Sequence, residues 1–580
     1  MQIRFDDLRP DHRLSFAFAD PVEILAAQSA DEVPGVVTAA EGHALAGRWV
    51  AGFLSYEAAS GFDPVLVTHP AGDLPLVWFA AFDERRVDSG PPDAKTNRMD
   101  GWQPDQDRAT HAAALAAIHK LIGAGDTYQV NYTMRMRGRF AGDPLSAYAD
   151  VVSAQSGGFG AFLDLGNYQI LSASPELFFR WDEEGITTRP MKGTAGRGRW
   201  PSEDESQRLW LADSEKDRAE NLMIVDLLRN DLGRIAQYGS VQVDGLFGIE
   251  RFDTLWQMTS TVRATPRPEM TLMDVLTALF PSGSITGAPK ARTMEIIREL
   301  ETTPRGLYCG AVGLLAPPGS GHPRAQFNVA IRTVVIDGRT GTAEYGTGGG
   351  ITWDSVAERE YDEALVKTAV LTHRPPEFSL LETMRWNPEQ GVVRKVRHLS
   401  RLRASADYFG FAYPEERIEA ELGGLEGDGQ LRVRLIVDRI GRVTVEHEPL
   451  RQPADPVRLV LDSQAVDSDS VLLFHKTTYR DVYEQAAGRH PGADDVVLVN
   501  ENGMATETTR ANLAVRSGDT WVTPPLEDGC LPGVYRAELL DRGRLREQSV
   551  PMASLGEADE LAVVSSLRGW RRAVLQAPGG

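Results

Sequence analysis

Two cysteines in 580 residues, Cys309 and Cys530, are too few for a disulfide framework and too far apart for zinc-ligand spacing. No stretch approaches the ~20 uninterrupted apolar residues of a membrane-crossing helix. The opening residues lack the basic start and apolar run of a signal peptide, so the cytoplasm is the expected location. Basic residues are in short supply: 61 Lys and Arg against 82 Asp and Glu leave a net charge of -21. That argues against nucleic acid as a partner, which calls for a basic patch. Internal repeats, low-complexity tracts and a phosphate-binding Gly-Lys-Ser/Thr loop are all missing.

What is present is an ordinary globular balance, 42% hydrophobic and 25% charged, in a chain too long for one core. A helical stretch from Ser355 to Leu371 runs into Pro375-Pro376, which cannot continue a helix, and a strand-like run begins at Phe378. The expected boundary is at about 375, giving domains 1–375 and 376–580. Apolar strand-like runs (49–56, 160–165, 168–172 and 325–335) cluster rather than alternate strictly with helices. The helices are expected at 107–124, 214–236, 272–279 and 288–300. Clustered strands predict an α+β fold. Residues 88–106 and 317–323 read as loops. The second part mixes a helix at about 398–409 with strands at 431–438, 457–461 and 496–499, and helices near Tyr479 and Val534.

Helix 214–236 opens with a capping signal, Ser214 then Asp217, and sets Asp217, Glu220 and Ile224 on one face. A second helix is expected to start at Asp354-Ser355 with Glu358 as capping partner, carrying Glu360, Glu363 and Lys367 on one face. Such a Glu-to-Lys spacing most often decorates a solvated surface. Two glycine-rich stretches, Pro281 to Lys290 and Gly346 to Gly350, let backbone approach a ligand closely, and amides at a helix start attract anions. Each alone reads as a tight turn; together they suit a small substrate bearing carboxylates.

Taken in order, these stretches resemble the chorismate-utilising enzymes, which include the anthranilate, aminodeoxychorismate, isochorismate and salicylate synthases. The matching residues are 125–131 (GDTYQVN), 174–178 (SPELF), 190–194 (PMKGT), 217–226 and 228–232, 284–290 (SITGAPK), 329–333 (VAIRT) and 348–367. The resemblance implies that Glu220 and Glu363, with Glu360, hold Mg²⁺. It implies that Thr286, Gly287, Arg332, Gly348, Gly349 and Lys367 bind substrate, and that Glu176 protonates the departing C4 hydroxyl. Two positions choose the branch. Water-adding relatives carry lysine where this chain has Gln129, so ammonia is the expected nucleophile. Lys192, where anthranilate synthases have alanine, implies covalent catalysis and amination at C4. Gln257 stands where many relatives have histidine.

In the second part, Asn502-Gly503 between apolar runs signals a hairpin, with Glu507 just beyond it. Lys476 and Glu507 alone read as surface residues. With residues 398–402 (HLSRL), 531–536 (LPGVYR) and 565–569 (SSLRG), they resemble the class IV pyridoxal-phosphate enzymes, the branched-chain and D-amino-acid aminotransferases and aminodeoxychorismate lyase. The resemblance implies pyridoxal 5'-phosphate on Lys476, with Glu507 at the pyridine nitrogen. Its phosphate would lie against Arg401, Val534 and Tyr535, the last standing where threonine is usual. It also implies a homodimer through this domain.

The two resemblances in one chain imply conversion of chorismate to 4-aminobenzoate for folate synthesis: C4 amination, then elimination of pyruvate. Ammonia would come from a separate glutamine amidotransferase, because neither cysteine sits in a nucleophile elbow. The competing expectations are an anthranilate synthase component fused to a class IV aminotransferase, and a degenerate regulatory subunit.

Overall fold

The computed structural model describes residues 1–9, 14–88, 90, 96–155, 158–371, 376–451 and 455–576. The chain forms two compact units: Met1–Gly196 with Gln207–Pro375, and Arg197–Ser206 with Pro376–Gly580. The second unit therefore takes one short piece from the middle of the first in sequence. The expected boundary falls on 372–375, outside the described residues.

The first unit is built on two ten-stranded sheets, in which every pairing is antiparallel. One has Gln129–Gly142 and Thr342–Ile351 near one edge and runs through Thr333–Asp337, Tyr168–Ser174 and Phe159–Asp164 to Gln2–Asp7. The other starts at Met191–Gly196 and runs through Leu255–Ala264, Gly185–Arg189, Leu177–Asp182, Ala325–Val329 and Ala311–Leu315 to Trp49–Leu54. Their inner faces share an aromatic core of Phe16, Phe18, Trp49, Phe53, Trp78 and Phe82. Helices Val33–Leu45, Glu215–Gly233 and Leu272–Leu279 cover the outer face of the second sheet, and Pro144–Gln155 and Ala357–Val366 that of the first. Strands such as Trp49–Leu54 and Val77–Phe82 are buried at every residue because both of their faces are covered. Clustered antiparallel strands with outer helices are the expected α+β class.

Three local expectations change. Residues 325–335 are not one strand: they break at 330–332, where Arg332 takes a positive φ of 50°. The chain there leaves one sheet and enters the other. The stretch 88–106 contains a strand, Asn97–Pro104, paired with Gln129–Gly142. Its polar composition hid it because its side chains are largely half-exposed or exposed. The helix expected from Ser355 starts at Ala357 after the uncapped Val356, and Ser355 Oγ accepts from Thr352 N–H instead of capping it. From Lys367 to Leu371 it tightens into a 3₁₀ turn. The cap on the other helix is as expected, with Ser214 Oγ accepting from Asp217 N–H.

The second unit holds a four-stranded sheet centred on Leu380–Asn387 and Leu431–Val437, and a nine-stranded one whose middle strand, Gly569–Leu575, pairs with Val457–Val466. The Asn502-Gly503 turn joins the antiparallel strands Asp495–Asn500 and Met504–Thr508 as expected. The inserted piece is packed in: Trp200 meets Phe474 at 5.0 Å between ring centroids, and Arg197 lies 4.1 Å over Tyr408 while paired to Asp204. Among the described residues no helix is long and apolar enough to cross a membrane.

Candidate active sites

Lys192 sits on the edge strand Met191–Gly196, at a break in register between Met191 and Thr194. A bulge re-aims a side chain out of the regular pleat. Side-chain amides pin both flanks of this one. Asn221 Nδ2 donates to Lys192 O at 3.3 Å, and Gln257 Nε2 donates to Gly193 O at 2.7 Å. The Lys192 amine then reaches 4.0 Å from Glu220 Oε2 on helix Glu215–Gly233. A side chain at Gly350 would begin 2.3 Å from that amine and 2.7 Å from Gln129 Nε2, so glycine there leaves room for both. Gln129 is fully buried, and neither polar atom of its side-chain amide has a hydrogen-bond partner among the described residues. Buried polar atoms without partners are rare, and at a cleft they point to a missing ligand.

Glu176 lies in the turn before strand Leu177–Asp182 and is 3% exposed. Burial pushes its carboxyl up to about 7, against the pull of the Ser284 hydroxyl, which donates to Oε1 at 2.6 Å, and of Lys192 and Arg189. A carboxyl of this kind can carry a proton at neutral pH. Nothing in the sequence flagged Ser284 as its partner, since 108 residues separate the two.

The acidic face of helix Ala357–Val366 turns toward the same cleft. Glu363 Oε1 pairs with Lys367 Nζ at 2.8 Å, and Lys367 also donates to Gly348 O at 2.9 Å. Glu360 Oε2 would lie 3.3 Å from a side chain at Gly349. Burial raises the Glu220 carboxyl, Lys192 and Lys216 oppose that, and Glu360 is close enough to add to it. Among the described residues no three acidic, histidine or cysteine side chains stand close enough to hold a metal ion. Glu220 and Glu363 are instead paired with lysines. The oxygen donors suit a hard divalent cation in kind, and Glu220, Glu360 and Glu363 would hold it, Glu220 and Glu363 exchanging their lysine contacts for it.

Two expected substrate ligands are engaged elsewhere. Thr286 turns its hydroxyl onto Ser282 O at 3.0 Å, within its own loop, and Arg332 bonds to Gln155. Gly287 packs against strand Gln129–Gly142, where a side chain would begin 2.1 Å from Gln129 O.

In the second unit, Lys476 and Glu507 line one cavity of about 460 Å³. Burial, with Arg401 and Arg480 nearby, lowers the Lys476 amine to about 8. Burial raises Glu507 to about 7, although Tyr483 Oη at 2.9 Å and Leu531 N–H at 3.2 Å donate to it. Arg401 makes a two-bond contact with the buried Glu382 at 2.7 and 2.8 Å. Arg401 and His398 overcome the cost of burying Glu382 and hold its carboxyl at about 2. Val534 begins helix Val534–Asp541, so the helix start at Gly533, Val534 and Tyr535 lines the cavity, and the Tyr535 ring lies 4.2 Å under Arg394. An amine, a carboxyl, a guanidinium and a helix start around one cavity fit pyridoxal phosphate at its aldehyde, its ring nitrogen and its phosphate. Glu382 and Tyr483 are the supporting residues that no sequence pattern flagged.

The family model of the chorismate binding enzymes matches residues 5–373, and that of amino-transferase class IV matches residues 379–575. Aminodeoxychorismate synthase component 1 of Escherichia coli is 43% identical over 267 residues, 46% of this chain and 57% of that protein. Its namesake in Bacillus subtilis is 40% identical over 270 residues, 47% of this chain and 56% of the relative. The match therefore spans little more than half the length of these relatives. Anthranilate synthase component I of Streptococcus pneumoniae superposes with a TM-score of 0.54 at 25% identity, covering 62% of this chain and 92% of that one. This chain belongs to the chorismate-binding enzymes, and its residues 379–575 match the amino-transferase class IV family.

Proposed function

We propose that the chain makes 4-aminobenzoate from chorismate in two steps: Mg²⁺-dependent amination at C4, then pyridoxal-phosphate-dependent loss of pyruvate. The observation that carries this reading is the Lys192 amine, aimed by a pinned bulge at the gap between Gln129, Gly350 and Glu220. The Lys192 amine attacks C2 of chorismate through its nitrogen lone pair, the ring double bonds shift, and the C4 hydroxyl leaves as water with the proton held by Glu176. Ammonia then bonds to C4, the double bonds shift back, and Lys192 is expelled with its electron pair. The enolpyruvyl ether stays intact. Gln129 offers the incoming ammonia an amide rather than a base able to activate water. Lys367 and the glycine backbone at 348–350 hold carboxylate. Mg²⁺, held by the acidic residues, would neutralise substrate carboxylate.

At the second site, pyridoxal phosphate supplies an electron sink. Glu507 holds the ring nitrogen's proton, and Arg401 with the amides at Val534 and Tyr535 holds the phosphate. Lys476, whose amine is lowered toward neutrality, takes the C4 proton and returns one to the departing enolpyruvate. Ammonia comes from a separate glutamine amidotransferase. Burial raises both thiols, Cys309 to about 11 and Cys530 to about 12, which leaves neither suited to act as a glutaminase nucleophile.

Mass spectrometry of products from chorismate, ammonium, Mg²⁺ and pyridoxal phosphate tests the proposal. It expects 4-aminobenzoate and pyruvate in equal amounts; 2-aminobenzoate as the product would overturn it.

A further inference from the structure

The cavity that holds Lys476 is also lined by guanidinium groups that the two-step chemistry does not use. Arg568 lies on the turn Ser565 to Gly569, between strands Glu560–Ser565 and Gly569–Leu575. Arg510 lies on the turn three residues beyond Glu507. Both turns are fixed. Ser566 Oγ is 2.7 Å from His398 Nε2, and His398 Nδ1 is 2.7 Å from the same Glu382 that grips Arg401. On the Arg510 side, Thr508 and Thr509 donate their hydroxyls to Asp495, and Arg480 donates to Thr509 O.

Neither guanidinium has a carboxylate within ion-pair distance among the described residues, whereas neighbouring Arg432 and Arg434 are paired to Glu448 and Glu446. Arg568 is half-buried, and its Nε is shielded from solvent without a hydrogen-bond partner among the described residues. Burial, reinforced by Arg571, Arg432 and Arg510 and only partly opposed by Asp495, works against its charge. A half-buried cation facing mostly other cations is costly unless an anion completes it. In a chain of net charge -21, such a site was not left open for lack of acidic residues.

We infer that Arg568 and Arg510 form a carboxylate-reading subsite of the C-terminal cavity, selecting an amine substrate that carries two carboxylates over a simple amino acid. Two guanidiniums on separate anchored turns can each take one carboxylate, and the planar fork of arginine suits that geometry. The inference rests on the lyase reading, whose substrate carries a ring carboxylate and an enolpyruvyl carboxylate.

The test uses the full-length holoenzyme. Calorimetric titration with 3-(carboxymethoxy)benzoate, an ether-linked aromatic dicarboxylate, is compared with titration by benzoate. The dicarboxylate is expected to bind at least about tenfold more tightly, and Arg568→Gln and Arg510→Gln each to lose about tenfold for it. Arg568→Lys should retain part of the affinity. Visible absorbance of the bound cofactor, unchanged in each variant, establishes that the cavity is intact. Equal binding of the two ligands, or unchanged dicarboxylate affinity in both glutamine variants, overturns the subsite. Pyruvate release from aminodeoxychorismate separates the two ideas. A wild-type enzyme that binds the dicarboxylate selectively but releases no pyruvate sinks the lyase and keeps the subsite. One that releases pyruvate with an unaltered KM in both variants does the reverse.

Discussion

Replacing Ser284 with alanine removes one hydroxyl and should move a pH limit upward. Ser284 Oγ donates to Glu176 Oε1 at 2.6 Å, and this bond opposes the rise of the carboxyl caused by burial. A hydrogen bond to a charged group contributes about 1.5–3 kcal/mol, and one pKa unit corresponds to about 1.4 kcal/mol. Losing it should raise Glu176 by about one to two units, from about 7 toward about 8 or 9. The acid form is the active one, so activity falls as pH rises through this value. The alkaline limb of kcat/KM for ammonia-dependent amination of chorismate should therefore shift to higher pH by that amount, making the variant relatively more active at pH ~8.5. The stability linkage has the same sign. A carboxyl raised above its unfolded value of 4.5 keeps its proton in the folded state, so its contribution is lost as pH climbs from about 4.5 to about 7 in the wild type, and over a wider window in the variant. A pH profile measured from 5.5 to 9.5 decides the matter. A limb that stays put or moves to lower pH would refute Glu176 as the proton donor or Ser284 as its modulator.

Four further outcomes are expected. Lys192→Ala should cut 4-aminobenzoate output by about a thousandfold or more, and chromatography showing wild-type output would exclude covalent catalysis by this amine. Lys476→Ala should lose the visible absorbance of the bound cofactor and let the aminated intermediate accumulate; an unchanged spectrum would place the attachment elsewhere. Glu382→Gln strips the countercharge from Arg401 and His398 in a buried setting and should cost about 3–5 kcal/mol in denaturant unfolding, together with weaker cofactor binding. Removing divalent cations with EDTA should stop turnover of chorismate but leave pyruvate release from supplied aminodeoxychorismate intact. Persistence of both activities would rule out Glu220, Glu360 and Glu363 as a metal site.

Much of the frame was legible because it rests on short-range rules. The Ser214 cap, the Asn502-Gly503 hairpin and the helix at 272–279 follow from a few adjacent residues, and each forms as expected. Readings that depended on continuity fared worse. Residues 325–335 look like one apolar strand, yet the chain turns at Arg332 because two different sheets must be served. The polar run 97–104 looked like loop, and it pairs because Gln129–Gly142 offers it an edge. Arg197 to Ser206 shows no break in sequence, yet its Trp200 buries against Phe474.

The sequence by itself determined the inventory: which amines, carboxyls and guanidiniums exist, in which motifs, and hence the two families. Tertiary structure decided their protonation and their partners. A carboxyl such as Glu176 or Glu507 reaches about 7 only because remote strands exclude water from it. Glu382 falls to about 2 only because Arg401 and His398 are brought onto it. Charge energies depend on distance and on the surrounding dielectric, and neither quantity exists until residues far apart in the chain have packed together.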